Sequence, residues 1–137
     1  MKKVRVDYKD LNDRQKENYN FQKVAARLAD YGYNSIRLSD DYNGADFIAL
    51  HIDGESMLRI QLKGRMTFHE KYYGKGLYIA FRQDEDVYVY PHDALREEML
   101  VNGYTEASNS IVWVEKGSRS WRRVPQKLLP LLEKYKL

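Results

Sequence analysis

Two strand-like runs joined by a tight turn constrain the fold of this chain more than any other feature. The runs are ADFIALHI and MLRIQLK, and the turn between them contains Asp53-Gly54, a pair that favours a short β-hairpin loop. In the second run, apolar Leu58, Ile60 and Leu62 alternate with polar residues, so one face of that strand is predicted to be buried. We therefore expect an antiparallel hairpin within a larger sheet.

A helix and a short strand are predicted before the hairpin. Asn12 and Gln15 form a capping-box pattern at the start of the helix, and Gly32 is the expected end. Apolar residues recur at helical spacing on one face: Phe21, Val24, Ala25 and Leu28. Tyr33–Leu38 is the predicted strand, and the polar segment Ser39–Gly44 is the predicted turn.

The elements after the hairpin complete a mixed α/β pattern. The polar connection Gly64–Gly76 is expected to be a loop, and strands are expected in GLYIAF and VYVY on either side of an acidic turn. A helix begins at Pro91 and ends near Gly103, IVWV at residues 111–114 is a further strand, and Pro125–Tyr135 forms a last helix. This order predicts an α/β (α+β) domain with an N-terminal helix, a central mixed sheet and flanking helices.

Length and composition limit the remaining choices. With 137 residues, 43% of them hydrophobic, the chain suits a single domain over residues 1–137. It has no cysteine, which excludes disulfides and cysteine-ligated zinc. The N-terminus has no apolar signal-like run, and no segment approaches the roughly 20 apolar residues of a membrane span, so we expect a soluble, cytoplasmic protein without a membrane partner.

Three polar residues on the hairpin form a candidate catalytic group. Asp46 begins the first strand, and the turn brings it near the end of the second, where Gln61 and Lys63 project from one face. Phosphodiester hydrolysis needs a hard cation held by oxygen ligands, an activated water and positive charge near the phosphate. Asp46, the Gln61 amide and the carbonyl of Leu62 would hold Mg²⁺ or Mn²⁺, and Lys63 would orient or deprotonate the water.

These residues resemble the PD-(D/E)XK nucleases, which have a restriction-endonuclease-like fold. The matching motif reads Gly44-Ala45-Asp46 and Gln61-Leu62-Lys63, within a helix-strand-strand-strand order over roughly Asn12–Phe81. Ala45 replaces the proline, and Gln61 replaces the acid, which removes one negative charge from the metal site. The resemblance implies a Mg²⁺-dependent endodeoxyribonuclease that prefers DNA to RNA, and a homodimer, because cutting two strands commonly needs two sites.

The resemblance also implies a carboxylate on the first helix that completes the metal site. Glu17 matches it; the alternative is a solvated glutamate favoured by the helix dipole. The alternative function is a non-catalytic nucleic-acid-binding or protein-interaction module on the same fold, in which Gln61 marks a site that has lost its metal.

Two basic segments are candidates for nucleic-acid binding. Residues 59–75 carry five Lys/Arg against one acid, and residues 116–137 carry seven against one, although the formal net charge is only +3. The side chains predicted to grip phosphates or stack on bases are Arg65, His69, Lys71, Lys75, Arg119, Trp121, Arg122 and Arg123. The alternatives are a solvated surface of mixed charge and, for Trp121, an anchor for the last helix.

Overall fold

The computed structural model describes residues 1–102 and 117–137. In it, helices pack against a five-stranded mixed sheet. The helices are α1 (Asp13–Asp30), α2 (His92–Val101) and α3 (Leu129–Leu132), and the strands are β1 (Tyr33–Tyr42), β2 (Ala45–His51), β3 (Met57–Leu62), β4 (Met66–His69), β5 (Tyr78–Gln83), β6 (Asp86–Pro91) and β7 (Ser118–Trp121). The sheet order is β1-β2-β3-β5-β6, in which only the β3–β5 pair is parallel, and β4 and β7 form a separate antiparallel pair. The predicted α+β class is confirmed. The strand predicted at residues 111–114 lies outside the described residues.

The predicted hairpin is confirmed. β2 and β3 pair with Phe47 opposite Ile60 and Leu50 opposite Met57. Asp53 closes the turn, because its carboxylate accepts hydrogen bonds from the Ser56 hydroxyl and from the backbone N–H groups of Ser56 and Glu55. The Ser56 bonds, with smaller help from Glu55, hold the pKa of Asp53 below its ordinary value.

Two hydrophobic cores lie on opposite faces of the sheet. The core beneath α1 consists of Val24, Leu28, Phe47, Ala49, Ile60, Ala80, Val87 and Val89. The largest fully buried residues of the other core, which includes residues of α2, α3 and β4, are Phe68, Phe81, Tyr90, Met66, Ile79, Leu95, Met99, Leu128 and Leu132. Ile79 and Ala80 are consecutive, fully buried and in different cores, as the alternation of a strand requires.

Helix α1 forms as the sequence predicted. Asn12 and Gln15 make both hydrogen bonds of the capping box, at 2.8 and 2.9 Å. Val24 and Leu28 are buried, and Phe21 packs edge-on against Phe47 with ring centroids 5.1 Å apart. The helix therefore packs across the sheet, mostly over β1 and β5, and its capped N-terminus determines where its first-turn side chains lie.

Three sequence predictions need correction. Ser39–Gly44 is not all turn, because β1 continues to Tyr42 after an irregularity in its pairing with β2. Gly64–Gly76 is not all loop: it contains β4, whose partner β7 is far away in the sequence. The helix predicted over Pro125–Tyr135 is reduced to the four residues of α3 between two 3₁₀ turns, because Pro130 has no N–H group and would break a longer helix at its centre.

No helix within residues 1–102 and 117–137 is long and apolar enough to cross a lipid bilayer.

Candidate functional site

The Asp46 carboxylate lies at the point where the β2–β3 ladder ends. Phe47 and Ile60 are the last paired residues of the ladder. Beyond them, Oδ2 of Asp46 accepts a 2.8 Å hydrogen bond from the backbone N–H of Leu62. A side-chain carboxylate therefore replaces the main-chain partner that β3 would otherwise have here. This arrangement fixes the carboxylate between the two strand ends.

The register places two further oxygen donors beside this carboxylate. The backbone N–H of Lys63 donates a 2.9 Å hydrogen bond to Ala80 of β5. Because the main-chain groups of successive strand residues point to opposite sides, the carbonyl of Leu62 faces β2. Continuing the ladder by one pair puts Gln61 opposite Asp46. Among the described residues, the Gln61 amide has no hydrogen-bond partner. Asp46, Gln61 and Leu62 are therefore neighbours where the β2–β3 ladder ends.

The electrostatic surroundings of Asp46 include the predicted partners. Burial of the half-exposed side chain raises the pKa of Asp46 above its ordinary value, and the Leu62 N–H opposes this effect. The charge of Glu17 raises the pKa further, and the charges of Lys63 and Arg37 lower it. Glu17 and Lys63 are thus close enough to Asp46 for their charges to act on its carboxyl group.

Glu17 is ion-paired rather than simply solvated. Its Oε1 accepts a 2.9 Å bond from Arg37 Nη2, and Arg37 Nη1 donates to Asn18 Oδ1 at 2.6 Å. The guanidinium lies 5.0 Å from the ring centroid of Phe21. Sequence reasoning missed Arg37, because nothing local marks a contact that spans 20 residues.

Lys63 reaches into an open cleft beside the end of β3. The side chain is half-buried, and its Nζ lies 5.3 Å from the ring centroid of the buried Tyr72. The cleft has a volume of about 570 Å³, and Lys63 and Glu17 line it from opposite elements. A phosphate in this cleft would lie within reach of both the strand end and α1.

The two basic segments meet at this cleft. β4 pairs with β7 through Met66 and Trp121, and the next pair in the same register is Arg65 with Arg122. Both arginines are exposed and line the cleft with Lys63. The antiparallel β4–β7 pair therefore joins the segments that the charge distribution had singled out.

The structure does not bring the other predicted nucleic-acid contacts to the cleft. The His69 ring accepts the Lys71 N–H at 3.1 Å and its main chain donates to the buried His92, so His69 has a structural role. Arg123 forms an exposed ion pair with Asp84 at 2.8 Å.

The remaining four predicted contacts, which include Lys71, also lie outside the cleft lining. Lys71 Nζ lies 5.1 Å from the ring centroid of Tyr72. Trp121 packs edge-on against Phe68 of β4, at the edge of the core that also contains Leu128 and Leu132. Arg119 stacks at 4.9 Å on Trp121. Lys75 is exposed and, like Arg119, is absent from the lining of the cleft.

Four side chains that sequence reasoning missed also line the cleft. They are Tyr8, Asp13, Lys16 and Asn20. Lys16 and Asn20 share a helix face with Glu17 at helical spacing, and this polar stripe was a readable signal for both. Tyr8 had no such signal, because it is fixed to the helix by a hydrogen bond from Asn20 across 12 residues.

The donor set suits a hard cation but provides little charge. Among the described residues, no group of three or more His, Cys, Asp or Glu side chains is arranged to hold a metal ion. Mg²⁺ and Mn²⁺ accept carboxylate, amide and carbonyl oxygens, and Mg²⁺ usually keeps several waters. Asp46, Gln61 and the Leu62 carbonyl fit that preference. Glu17 would join them only on leaving Arg37.

Comparisons with known proteins add a similarity in structure. No protein-family model and no curated protein sequence matches this chain. In structure the chain is similar to a bacterial homing endonuclease, I-Ssp6803I, with 14% sequence identity and a TM-score of 0.49 over 90% of this chain and 94% of that chain. A similarity at this level assigns no activity and no residue role to this chain.

Proposed function

We propose that this chain is a metal-dependent endonuclease that hydrolyses phosphodiester bonds in DNA. The observation that carries the proposal is the position of Asp46, whose carboxylate replaces a ladder partner next to Leu62 and lies within electrostatic reach of Lys63. Lys63, Arg65 and Arg122 line the adjoining cleft and offer positive charge to a phosphate. The resemblance of this motif to PD-(D/E)XK nucleases supports the same reading.

Each residue of the site has a proposed role. Asp46, the Gln61 amide and the Leu62 carbonyl would hold Mg²⁺ or Mn²⁺, with Glu17 as an accessory ligand. The bound ion would act as a Lewis acid and lower the pKa of a water molecule. Lys63 orients the attacking water and offsets the charge that develops on the phosphate.

The second candidate function is a non-catalytic nucleic-acid-binding or interaction module. Two observations favour it: Gln61 supplies no negative charge, and Arg37 engages the Glu17 carboxylate at 2.9 Å. In that case the cleft would hold a phosphate without cutting it. Asp46 would then serve only to close the strand ends.

Cleavage of supercoiled plasmid in Mg²⁺ or Mn²⁺ separates the two functions. We expect the parent to nick or linearise the plasmid, and Asp46→Asn and Lys63→Met each to reduce the rate at least about 100-fold, the effect of losing one group that acts in the transition state. Lys127→Met is the matched control, because Lys127 is exposed and absent from the cleft lining. Binding without any cutting by the parent would leave the non-catalytic module as the function.

We also propose DNA rather than RNA as the substrate and a homodimer as the active form, both as implications of the resemblance. Sedimentation velocity with and without a DNA duplex measures the second point. A monomer that cuts both strands in one binding event would contradict the dimer.

A further inference from the structure

The first seven residues form an exposed basic segment, here called the N-terminal arm. Lys2, Lys3 and Arg5 outnumber Asp7, and every residue of the arm is exposed. With Lys9 included, residues 1–9 carry four basic side chains against one acid, which equals the whole formal net charge of +3. Within the described part of the chain, none of the three cations in the arm makes an ion pair or a hydrogen bond.

Tyr8 fixes the place where the arm leaves the body of the protein. Its hydroxyl accepts a 2.9 Å hydrogen bond from Asn20, and its ring lies 5.5 Å from the ring of Tyr19 on α1. Lys16 Nζ and the Arg82 guanidinium each lie 5.6 Å from the centre of the Tyr8 ring. These contacts come from both α1 and β5, so the fixed end of the arm has a defined position.

That position is the wall of the cleft that adjoins Asp46. Tyr8 lines the cleft together with Lys63, Arg65 and Arg122. The α1 side of the cleft also contains Asp13 and Glu17, whose charges oppose the approach of a phosphate. The cations of the arm would compensate on this side, where the cleft itself is least basic.

Residues 1–7 are enough to follow a nucleic-acid backbone. A fully extended segment of seven residues spans at most roughly 25 Å, which is enough to follow one DNA strand past several phosphates or to cross a groove about 12 Å wide. In an extended segment Lys3 and Arg5 share one face. A small protein with a narrow cleft gains from such contacts, because phosphate contacts set the register of the duplex without reading its sequence.

We propose that the N-terminal arm binds the phosphate backbone of duplex DNA on the α1 side of the cleft, with Tyr8 as its fixed end and Lys2, Lys3 and Arg5 as the contacting cations. The inference rests on the proposed function for the identity of the partner. The arm has no part in the chemistry: it increases affinity and orients the duplex across Lys63, Arg65 and Arg122.

The salt dependence of binding tests the arm directly. The probe is a fluorescein-labelled 30-base-pair duplex, measured by anisotropy in EDTA between about 50 and 200 mM KCl. We expect K2Q/K3Q/R5Q to reduce the slope of log K against log salt by about 2 to 3, because each phosphate contact contributes about 0.9. The matched control is K127Q/K134Q/K136Q, which removes the same charge at the C-terminal end, where Lys134 and Lys136 already pair with acids.

The outcomes distinguish this inference from the proposed nuclease function. A slope that stays at the parent value, or that falls equally in the control, overturns the proposed DNA-binding role of the arm and does not affect the proposal of metal-dependent cutting. Arm-dependent binding by a parent that never cuts plasmid supports the role of the arm and overturns the proposed nuclease function. If both hold, K2Q/K3Q/R5Q should cut at the parental rate once enough protein is added to saturate the DNA.

Discussion

At Asp46 the needs of a binding site and of a stable fold are opposed. The carboxylate is half-buried next to Glu17, and burial is the main reason that its pKa is raised. Lys63 and Arg37 compensate for part of this cost, as does the Leu62 N–H. Ionisation of Asp46 is therefore less favourable in the folded protein than in the unfolded chain.

Replacement of Asp46 should therefore stabilise the protein at neutral pH. Because the pKa is higher in the folded than in the unfolded state, the free energy of unfolding falls as the pH rises from about 4, the ordinary value of an aspartate, through the raised value. We expect Asp46→Asn to raise the Tm by a few degrees near pH 7 and by nothing near pH 3, measured by circular dichroism in EDTA.

Asp53 provides a control of opposite sign for that measurement. Its pKa is lowered by hydrogen bonds from Ser56 and Glu55, so its contribution to stability is present at neutral pH and is lost as the pH falls through the lowered value. Asp53→Asn should lower the Tm near pH 7. A Tm gain in Asp46→Asn that is the same at both pH values would contradict the burial argument.

Gln61 limits the charge of the site, and restoring an acid should strengthen metal binding. Gln61→Glu would place a second carboxylate opposite Asp46, and ligand charge is a principal determinant of affinity for hard cations. We expect the Kd for Mn²⁺, measured by electron paramagnetic resonance, to fall about tenfold. Gln61→Met is the matched variant without an oxygen donor and should bind Mn²⁺ more weakly than the parent. Equal affinity in all three proteins would show that this side chain does not face the ion.

At the scale of elements, two glycine turns hold β2 in place. Gly44 precedes β2 with φ +87°, and Gly54 follows it with φ +75°. A Cβ on Gly44 would lie 2.8 Å from the Leu77 side chain, whereas a Cβ on Gly54 would meet nothing within 4 Å. The first turn is therefore packed against the core, and the second is free at the surface.

This contrast gives a matched pair of alanine variants. Both should lose about 1–2 kcal/mol because an alanine at positive φ is strained. Gly44→Ala should lose a further 1–3 kcal/mol, about the cost of overpacking, and should displace Asp46 from Leu62. Urea unfolding measures both losses. In a protein that already carries Leu77→Ala, Gly44→Ala should reduce the free energy of unfolding by less than it does in the parent. Equal destabilisation of the two single variants would exclude the Leu77 contact as the cause.

At the scale of the whole molecule, a cation bound by Asp46 should stabilise the fold by mass action. A ligand at about 100 times its Kd adds about 2.7 kcal/mol to the free energy of unfolding. We expect Mn²⁺ to raise the Tm of the parent by several degrees and to leave Asp46→Asn unchanged, measured by differential scanning calorimetry. An equal rise in both proteins would place the ion elsewhere on the surface.

Local periodicity and turn chemistry determined the parts of this protein that the sequence predicted correctly. The capping box at Asn12, the buried face of α1 and the hairpin at Asp53-Gly54 depend on residues within one or two turns of one another. The approach of Asp46 to Leu62 follows from the same hairpin, since a tight turn sets the register of both strands. These features need only short-range sterics and hydrogen bonds, so a short window of sequence contains their cause.

Only the tertiary structure decided which distant residues meet at the site. Arg65 joins Arg122 because β4 pairs with β7, Arg37 reaches Glu17 because β1 packs beside α1, and Tyr8 is held against α1. None of these contacts leaves a periodic trace, because surface cations and tyrosines satisfy local patterns equally well wherever they point. The position of each is a consequence of burying both faces of one sheet, and that burial is a property of the whole chain.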